Sequence, residues 1–519
     1  MHAELARALA WLGEDPTCLQ GMRRGLEKEA LRVQEDGWLS QLPHPAALGS
    51  TLTHPHITTD YSEALIELIT PPCDSIAGAL GWLDDLHRYV YAHIGSERLW
   101  VNSMPCKLGP DQNIPLAQYG TSNIGRMKTL YRHGLGLRYG RRMQTIAGIH
   151  YNLSFPEPFW RAWQEQVGDA GPLSVFISER SMGLVRNFQR NSWLLLFLLG
   201  ASPAVCGSFL EGREHGLQRL PSGTLYMPDA TSLRMSSLGY QNDAQSDLKV
   251  SCNTLDEYVT DLDRAIRTPF APYEAIGVKR DGVYQQINAN ILQIENEYYG
   301  LIRPKRTTRP QERPTQALRR RGVEYVELRC VDLDPFEPLG ISRDSAHFLE
   351  VFALHCLLSD SPAFDEVEVA RLPRNQQAMV NAGRDPGLAL ETADGPQAFR
   401  DLAARLMAEL LPVAELLDAV HVTQAYSSAL ALQIQKLQKP EMTGSAMVLR
   451  SLRDYRGCFF EFAQSCADRT RAAFLERPLP DVRHDQLMDM ARQSLRDQQR
   501  LEAEPQEPFA QFLADYFRP

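Results

Sequence analysis

The sequence predicts an α+β protein, and three observations carry that prediction. Strict period-two alternation marks Gln144–Phe155, QTIAGIHYNLSF, as a half-buried strand. Four further segments, at Arg23–Val33, 58–72, Gln285–Tyr299 and Gly322–Leu333, set Glu or Asp into apolar runs of strand character. After Pro338 the pattern turns largely helical. These readings predict a single 519-residue domain with a sheet-bearing core over 1–340 and a mostly helical scaffold over 341–519.

In the Gln144–Phe155 stretch, Gln144, Gly148, His150, Asn152 and Ser154 share one parity with Ile146, and the apolar residues take the other. A polar face among buried-type neighbours often looks into a cleft. His150 is its only residue that titrates near neutrality and offers a metal a lone pair. The plainer alternative is a solvated face with an ordinary hydrogen-bonded histidine.

Composition narrows the functional classes. Hydrophobic residues make up 44% and charged residues 23%, ordinary globular values. A net charge of −10 argues against nucleic acid or an anionic membrane as the main partner. The nine cysteines are scattered, odd in number and without a CxxC pair, which predicts a reducing compartment. The N-terminus carries acids within its apolar pattern, unlike a signal peptide, and the longest apolar run, Trp193–Ala201, is too short for a bilayer. A cytoplasmic location is the expectation.

Taken in order, the first dozen residues form a helix that Pro16 ends. RRGLEKEALRV, Arg23–Val33, fits helix or strand; the Glu35-Asp36-Gly37 turn signal favours a strand with Glu27, Glu29, Leu31 and Val33 on one face. Residues 58–72 pose the same choice. Ile and Thr near the end and the Pro71-Pro72 stop favour a strand bearing Glu63, Leu65, Glu67 and Ile69 on one face. An amphipathic helix follows over 76–95. Asn102–Gly140, rich in Gly, Pro, Gln and Asn, predicts a long loop with a short helix, of the kind that covers substrates.

A helix is predicted from about Val175 to Leu199, then two strands, Gln285–Tyr299 and Gly322–Leu333. In the second, Val323, Tyr325, Glu327, Arg329, Val331 and Leu333 share a face, and a buried Glu and Arg are costly unless both have partners. Between them IRPKRTTRPQER reads as a basic loop that either meets phosphate or is solvated.

Glu27, Glu29, Asp60, Glu67, His150 and Glu327 come from four separate segments. Carboxylates gather on a cleft-facing sheet only when something compensates their repulsion, and hard divalent cations do this commonly. Each acid taken alone is more often solvated or ion-paired.

Several blocks carry a resemblance: RGLEKEALRV, LGSTLTHPHITTDYSEALIELITP, QYGTSNIGR, QTIAGIHYN, GASPAVCGSFL, TSLRMSSLGY, QIENEYYGLIRPKR and GVEYVELR. In order and nearly collinear from about residue 10 to about 345, they resemble the glutamate–cysteine ligase family of the proteobacterial type. The resemblance implies a curved, mainly antiparallel sheet forming a funnel like that of glutamine synthetase, wrapped by helices. It implies ATP-dependent joining of the γ-carboxylate of L-glutamate to the amine of L-cysteine, the first step of glutathione synthesis.

By the same resemblance, the metal ligands fall on Glu27, Glu29, Asp60, Glu67, His150 and Glu327, holding two or three Mg²⁺ with Mn²⁺ tolerated. The cysteine-side pocket falls on Tyr61, Tyr131, Gln144, Arg234, Tyr240 and Tyr299. Arg132 and Arg329 fall on positions for substrate carboxylate or phosphate, with Arg329 beside Glu327 placed to neutralise the moving phosphoryl group. Tyr61 departs from the phenylalanine of a family member. Glutathione is implied as a feedback inhibitor. Competing readings are a related ligase using another amine, a phosphagen-type phosphotransferase, and a non-enzymatic helical binding protein.

Overall fold

Everything in the molecule is arranged about one eleven-residue strand, Arg23–Val33. It packs both faces into the protein and is followed by the hairpin that brings the chain back at Leu39. The computed structural model describes residues 3–238, 248–309 and 311–518. Its strands in chain order are β1 (Arg23–Val33), β2 (Ile57–Thr59), β3 (Leu65–Ile69), β4 (Arg98–Leu99), β5 (Ile149–Ser154) and β6 (Ala204–Cys206). They continue with β7 (Gln218–Arg219), β8 (Thr224–Tyr226), β9 (Lys279–Arg280), β10 (Val283–Tyr284), β11 (Ile302–Lys305) and β12 (Tyr325–Val331). The main sheet is open and antiparallel in the order β11-β12-β5-β1-β3-β2, with β4 beside the end of β1. The fold is therefore the predicted α+β.

Helices cover one side of this sheet. Named by position, the helices are α1 (Ala3–Glu14), α2 (Ile76–His93), α3 (Asn123–Tyr139), which lies instead beside Asp60 at the acid-bearing side, α4 (Glu157–Gln166) and α5 (Leu173–Leu199), followed by Arg343–Leu358 and a remainder that is helical apart from the hairpin of Ala389–Thr392 with Gly395–Ala398. The largest apolar core runs from Leu5 to Leu487 and so joins the sheet to the helices on both sides of Pro338. Arg24, on the helix-facing side of β1, reaches Glu350 of the Arg343–Leu358 helix with Nε at 2.7 Å and Nη2 at 3.0 Å. The hydroxyls of Tyr151 and Tyr426 donate to the same carboxylate at 2.7 and 2.8 Å. Arg24 and Glu350 are buried, and their pairing is fully hydrogen-bonded, the condition under which a buried ion pair is tolerable.

Five segments differ from the sequence expectation, each for a physical reason. The strand expected at Gln144–Phe155 begins only at Ile149; Met143–Thr145 forms a 3-10 turn, so Gln144 is not on the strand. Residues 58–72 are two strands rather than one, with Asp60, Tyr61, Ser62 and Glu63 in the turn between them. The Asn102–Gly140 loop contains a seventeen-residue helix, α3, capped by Ser122, whose hydroxyl accepts from the Gly125 amide. Its glycines, read as loop formers, serve close packing instead. A β-carbon at Gly134 would meet the Gln293 amide oxygen at 2.2 Å, and one at Gly136 the Tyr61 hydroxyl at 2.3 Å.

Gln285–Tyr299 is not a strand. Its acids are internal anchors: Glu295 accepts from Arg313 at 2.7 Å and Thr315 at 2.6 Å. Glu297 accepts from Arg138 at 2.9 Å and the Gln293 amide at 2.6 Å. The basic stretch after it is only partly loop, because Ile302–Lys305 pairs with β12 as the edge strand β11. A bulge in β12 between Leu328 and Val331 also moves Val331 off the face of Glu327 and opposite Ile149.

The Glu350 network yields a stability prediction. Glu350→Ala leaves Arg24 buried and unpaired, and removing one partner of such a pair costs about 3–5 kcal/mol. Burial alone would raise the Glu350 carboxyl, but Arg24 outweighs it and holds the carboxyl below its usual range. The depressed value means the stabilisation is complete above the unfolded carboxyl pKa of about 4.3 and is lost as pH falls through the lower folded value. Denaturant unfolding of wild type and mutant from pH 7 to pH 3 should show a large gap that closes toward acid. A neutral substitution at pH 7 would contradict this account of the pair.

Candidate active site

The register of the sheet sets the site. On the face of β1 away from the Glu350 network, Glu27 lies opposite His150 of β5, and Glu29 lies opposite both Glu67 of β3 and the start of β5. Glu327 of β12 lies opposite Asn152 of β5 and Arg303 of β11. Directly opposed residues share a face, so five neighbouring strands project these side chains to one side. His150 Nδ1 stands 3.0 Å from Glu27 Oε2 and 3.5 Å from Glu327 Oε1. One ligand atom from each of Glu27, His150 and Glu327 lies within 4.8 Å of the other two.

Charge is balanced unevenly along this face. At the Glu327 end, Arg329 donates to Glu327 Oε1 at 3.0 Å and Lys305 Nζ stands 3.6 Å from Oε2. Burial opposes the charge on Glu327, yet Lys305 and Arg329 hold its carboxyl well below the carboxylate range. Glu27 is likewise held low against burial, chiefly by its hydrogen bond with His150. Burial and the Arg329 guanidinium lower His150, keeping it a neutral ring.

The other end lacks such compensation. Burial, followed by Asp60, pushes the Glu29 carboxyl up to about 8. Burial and then Glu27 raise Glu67 well above its usual range. Arg234 and Arg329 act on Glu29, whose Oε2 also accepts from the Gly148 amide at 2.8 Å, and Arg132 of α3 acts on Glu67, but none of them outweighs burial. Arg132 Nε donates to the Asp60 backbone carbonyl, and its guanidinium lies over the Tyr119 ring.

These observations test whether divalent cations fit. Glu327 Oε2 and Asn152 Oδ1 are buried and accept no hydrogen bond. Glu29 and Glu67 carry a charge demand that the protein's own cations leave unmet. A donor set of carboxylate oxygens with one neutral imidazole suits Mg²⁺ or Mn²⁺, and the residues fit such ions.

The remaining expected residues are placed as follows. Asp60 sits in the β2–β3 turn close to Glu29 and Glu67. Tyr61, in the same turn, is buried against Gly136 of α3, and its hydroxyl makes no hydrogen bond. Tyr131 and Arg132 lie side by side on α3, and Gln144 sits in the 3-10 turn before β5. Arg234 is buried and donates to the Arg329 carbonyl at 2.9 Å, bracing β12 behind the acids. Its guanidinium occupies the space a side chain at Gly148 would need, with a β-carbon there only 2.1 Å from Nη2. The Tyr299 hydroxyl contacts Met235 Sδ at 3.1 Å. Tyr240 lies outside the described residues.

Three contributors were missed by sequence reasoning. Asn152 donates to Glu27 Oε1 at 2.8 Å and lies opposite Glu327; its parity with His150 was the available signal. Arg303 and Lys305 were passed over because their stretch read as a loop. The alternation of basic residues around Pro304 marks the strand in retrospect.

Comparison with known proteins agrees with this geometry. The family model described as glutamate-cysteine ligase matches residues 9–379. The chain is 53% identical over 504 residues to the glutamate–cysteine ligase of Alcanivorax borkumensis, covering 96% of each chain. It is 49% identical to that of Azotobacter vinelandii, covering 99% of this chain and 98% of the relative. A crystal structure of the Francisella tularensis glutamate–cysteine ligase in complex with AMP superposes with a TM-score of 0.90 at 36% identity, over 96% of this chain and 97% of that one. A bifunctional glutathione synthetase from Pasteurella multocida gives 0.72 at 26% identity, over 91% of this chain and 55% of that one. Among the described residues no helix is long and apolar enough to cross a membrane. On a match that runs nearly end to end in sequence and in fold, the chain belongs to the glutamate–cysteine ligase family.

Proposed function

We propose that this protein joins the γ-carboxylate of L-glutamate to the amino group of L-cysteine at the expense of ATP, releasing γ-glutamylcysteine, ADP and phosphate. The observation that carries the reading is the row of acids on one sheet face, left short of positive charge at Glu29 and Glu67. A carboxylate is a poor electrophile. ATP therefore first phosphorylates the γ-carboxylate, and the amine then attacks the acyl phosphate and expels inorganic phosphate.

Moving a phosphoryl group between two anions requires preorganised positive charge. Glu27, Glu29, Asp60, Glu67, His150 and Glu327 would hold two or three Mg²⁺, with Mn²⁺ tolerated, supplying that charge against the triphosphate. Arg329, fixed by Glu327 and by the brace of Arg234 on its carbonyl, is assigned to the charge that develops during transfer. Arg132 is assigned to a substrate carboxylate or phosphate. Tyr61, Tyr131, Gln144, Arg234, Tyr240 and Tyr299 are assigned to the amine pocket, and glutathione to that pocket as an inhibitor. Scattered cysteines without a disulfide support a cytoplasmic location.

One observation favours a second reading. The buried Tyr61 hydroxyl makes no hydrogen bond, so a more polar amine than cysteine could find a partner there. Phosphate release from ATP separates the two readings. It should require glutamate, an amine and Mg²⁺ together, with cysteine preferred over α-aminobutyrate, alanine and ammonia. Equal turnover with ammonia would move the assignment to another glutamate–amine ligase.

A second prediction concerns Arg329. Interactions made only in the transition state appear in kcat. Arg329→Ala should therefore lower kcat at least about a hundredfold, the scale of other electrostatic stabilisers, and change KM for cysteine far less. Near-native kcat would reduce Arg329 to the structural partner of Glu327.

A further inference from the structure

The helix that carries Tyr131 and Arg132 is held at its two ends by different parts of the chain. Toward its C-terminal end, Arg138 ties α3 to the body of the protein, donating to Glu297 at 2.9 Å and to the Asn288 carbonyl at 2.7 Å. Its first half is held by a segment far away in sequence. The Thr121 amide donates to Glu502 Oε1 at 2.8 Å. Asn123, which is buried, donates its amide to Gln506 Oε1 at 3.0 Å and its Nδ2 to the Glu507 carbonyl at 2.8 Å. The Arg126 guanidinium lies 4.3 Å from the centre of the Phe509 ring, an attraction of cation and π-face.

These contacts border a second apolar core, separate from the largest one. Met127 and Leu130 of α3 pack there with Ile287 and with Phe509, Phe512 and Leu513 of the helix Phe509–Tyr516. Tyr131 packs against both cores. A helix of eight residues has no stability of its own in water, so this one is ordered by its docking. Residues 504–508, which join it to the helix Asp481–Ala503, are exposed. That longer helix is anchored elsewhere: the Ser494 hydroxyl accepts from the Ser50 amide at 2.9 Å, and the Ser494 carbonyl accepts from the Thr53 hydroxyl at 2.6 Å. A small core on an exposed tether, next to a firm anchor, is a unit that opens without unfolding the rest.

We propose that the Phe509–Tyr516 helix is a positioning element for the amine end of the cleft, a strap that sets α3 and with it Tyr131 and Arg132. Docked, it buries Met127 and Leu130 and fixes the first half of α3, so that Arg132 keeps its hydrogen bond to the Asp60 carbonyl beside the acid row. Released, it uncovers those two side chains and frees α3 from Asn123 to Leu130, the turns that lead into Tyr131. The acids stand on strands whose pairing the strap does not touch, so the row itself stays in place. Phe509 and Phe512 are thus positioning residues that act through α3 and not on substrate. The consequence for the amine rests on the ligase reading above; the coupling of the two helices does not.

The test compares the full chain with a chain lacking residues 505–519 and with the full-length variants Phe512→Asp and Phe512→Leu. Hydrogen–deuterium exchange should show the amides of residues 126–130 exchanging at least about tenfold faster in the deletion and in Phe512→Asp, with β1 unchanged. Kinetics should show KM for cysteine raised at least about fivefold in the same two proteins, the size of one lost hydrogen bond, with a smaller fall in kcat. Phe512→Leu keeps an apolar side chain in the small core and should stay within about twofold of wild type in both measurements. Unchanged exchange in α3, or faster exchange with an unchanged KM, overturns the proposal. Faster exchange in β1 as well, with kcat falling as far as KM rises, also overturns it, because that pattern is general destabilisation. If α3 responds as expected but the wild type turns over no amine, the ligase reading fails and the coupling of the helices stands.

Discussion

The constraint on which the rest of the structure depends is the repulsion among carboxylates on one face of one sheet. Glu27, Glu29, Glu67 and Glu327 are brought together by strand register, and no rearrangement of side chains separates them without breaking the β1–β3 and β1–β5 pairing. Burial magnifies the repulsion, because like charges in a low dielectric interact strongly. The protein answers it at one end only. Arg329 and Lys305 neutralise Glu327, and His150 and Asn152 bind Glu27. Glu29 and Glu67 are left with raised carboxyls, a cost that a structural cluster would have no reason to keep.

The opposite face of the same strand explains why the cost is tolerable. Alternation along β1 sends Glu27 and Glu29 to the cleft and Arg24 and Lys28 to the helices. Arg24 is locked by Glu350, Tyr151 and Tyr426. Lys28 is buried with its Nζ 2.8 Å from His87 Nε2, while His87 Nδ1 faces the Leu83 carbonyl at 2.7 Å. The imidazole proton is thereby assigned to Nδ1 and its lone pair to the lysine. Burial pushes Lys28 down to about 7 and His87 well below its usual value. Two basic residues tied into a helical backing hold rigid the strand that carries the acids.

How much of this was legible in the sequence depended on whether a local rule decided the matter. The Glu35-Asp36-Gly37 turn signal decided β1, and alternation gave the core of β5 and β12, and with them Glu27, Glu29, His150, Glu327 and Arg329, because a strand with one apolar and one polar face imposes period two. It failed at Gln285–Tyr299, where polar alternation reflected Glu295 and Glu297 binding arginines rather than pleating. It failed again for α3, since Gly134 and Gly136 look like loop residues until Gln293 and Tyr61 occupy the missing side chains' places. Arg303 and Lys305 were hidden by Pro304, which is tolerated because β11 is an edge strand. Convergence of the acids could not be read from spacing at all; it is a property of the register, and the block-by-block resemblance stood in for it.

The central claim is that the acid row is an unstable arrangement completed by divalent cations. Thermal unfolding of wild type and Glu67→Gln, each with EDTA and with saturating Mg²⁺, tests it most directly. The account predicts that Glu67→Gln melts above wild type in EDTA, because the cost of holding a carboxyl whose ionisation its neighbours oppose has gone, and that it loses most of the rise Mg²⁺ gives the wild type. A Glu67→Gln protein that melts below wild type by the same amount with and without Mg²⁺ would contradict it.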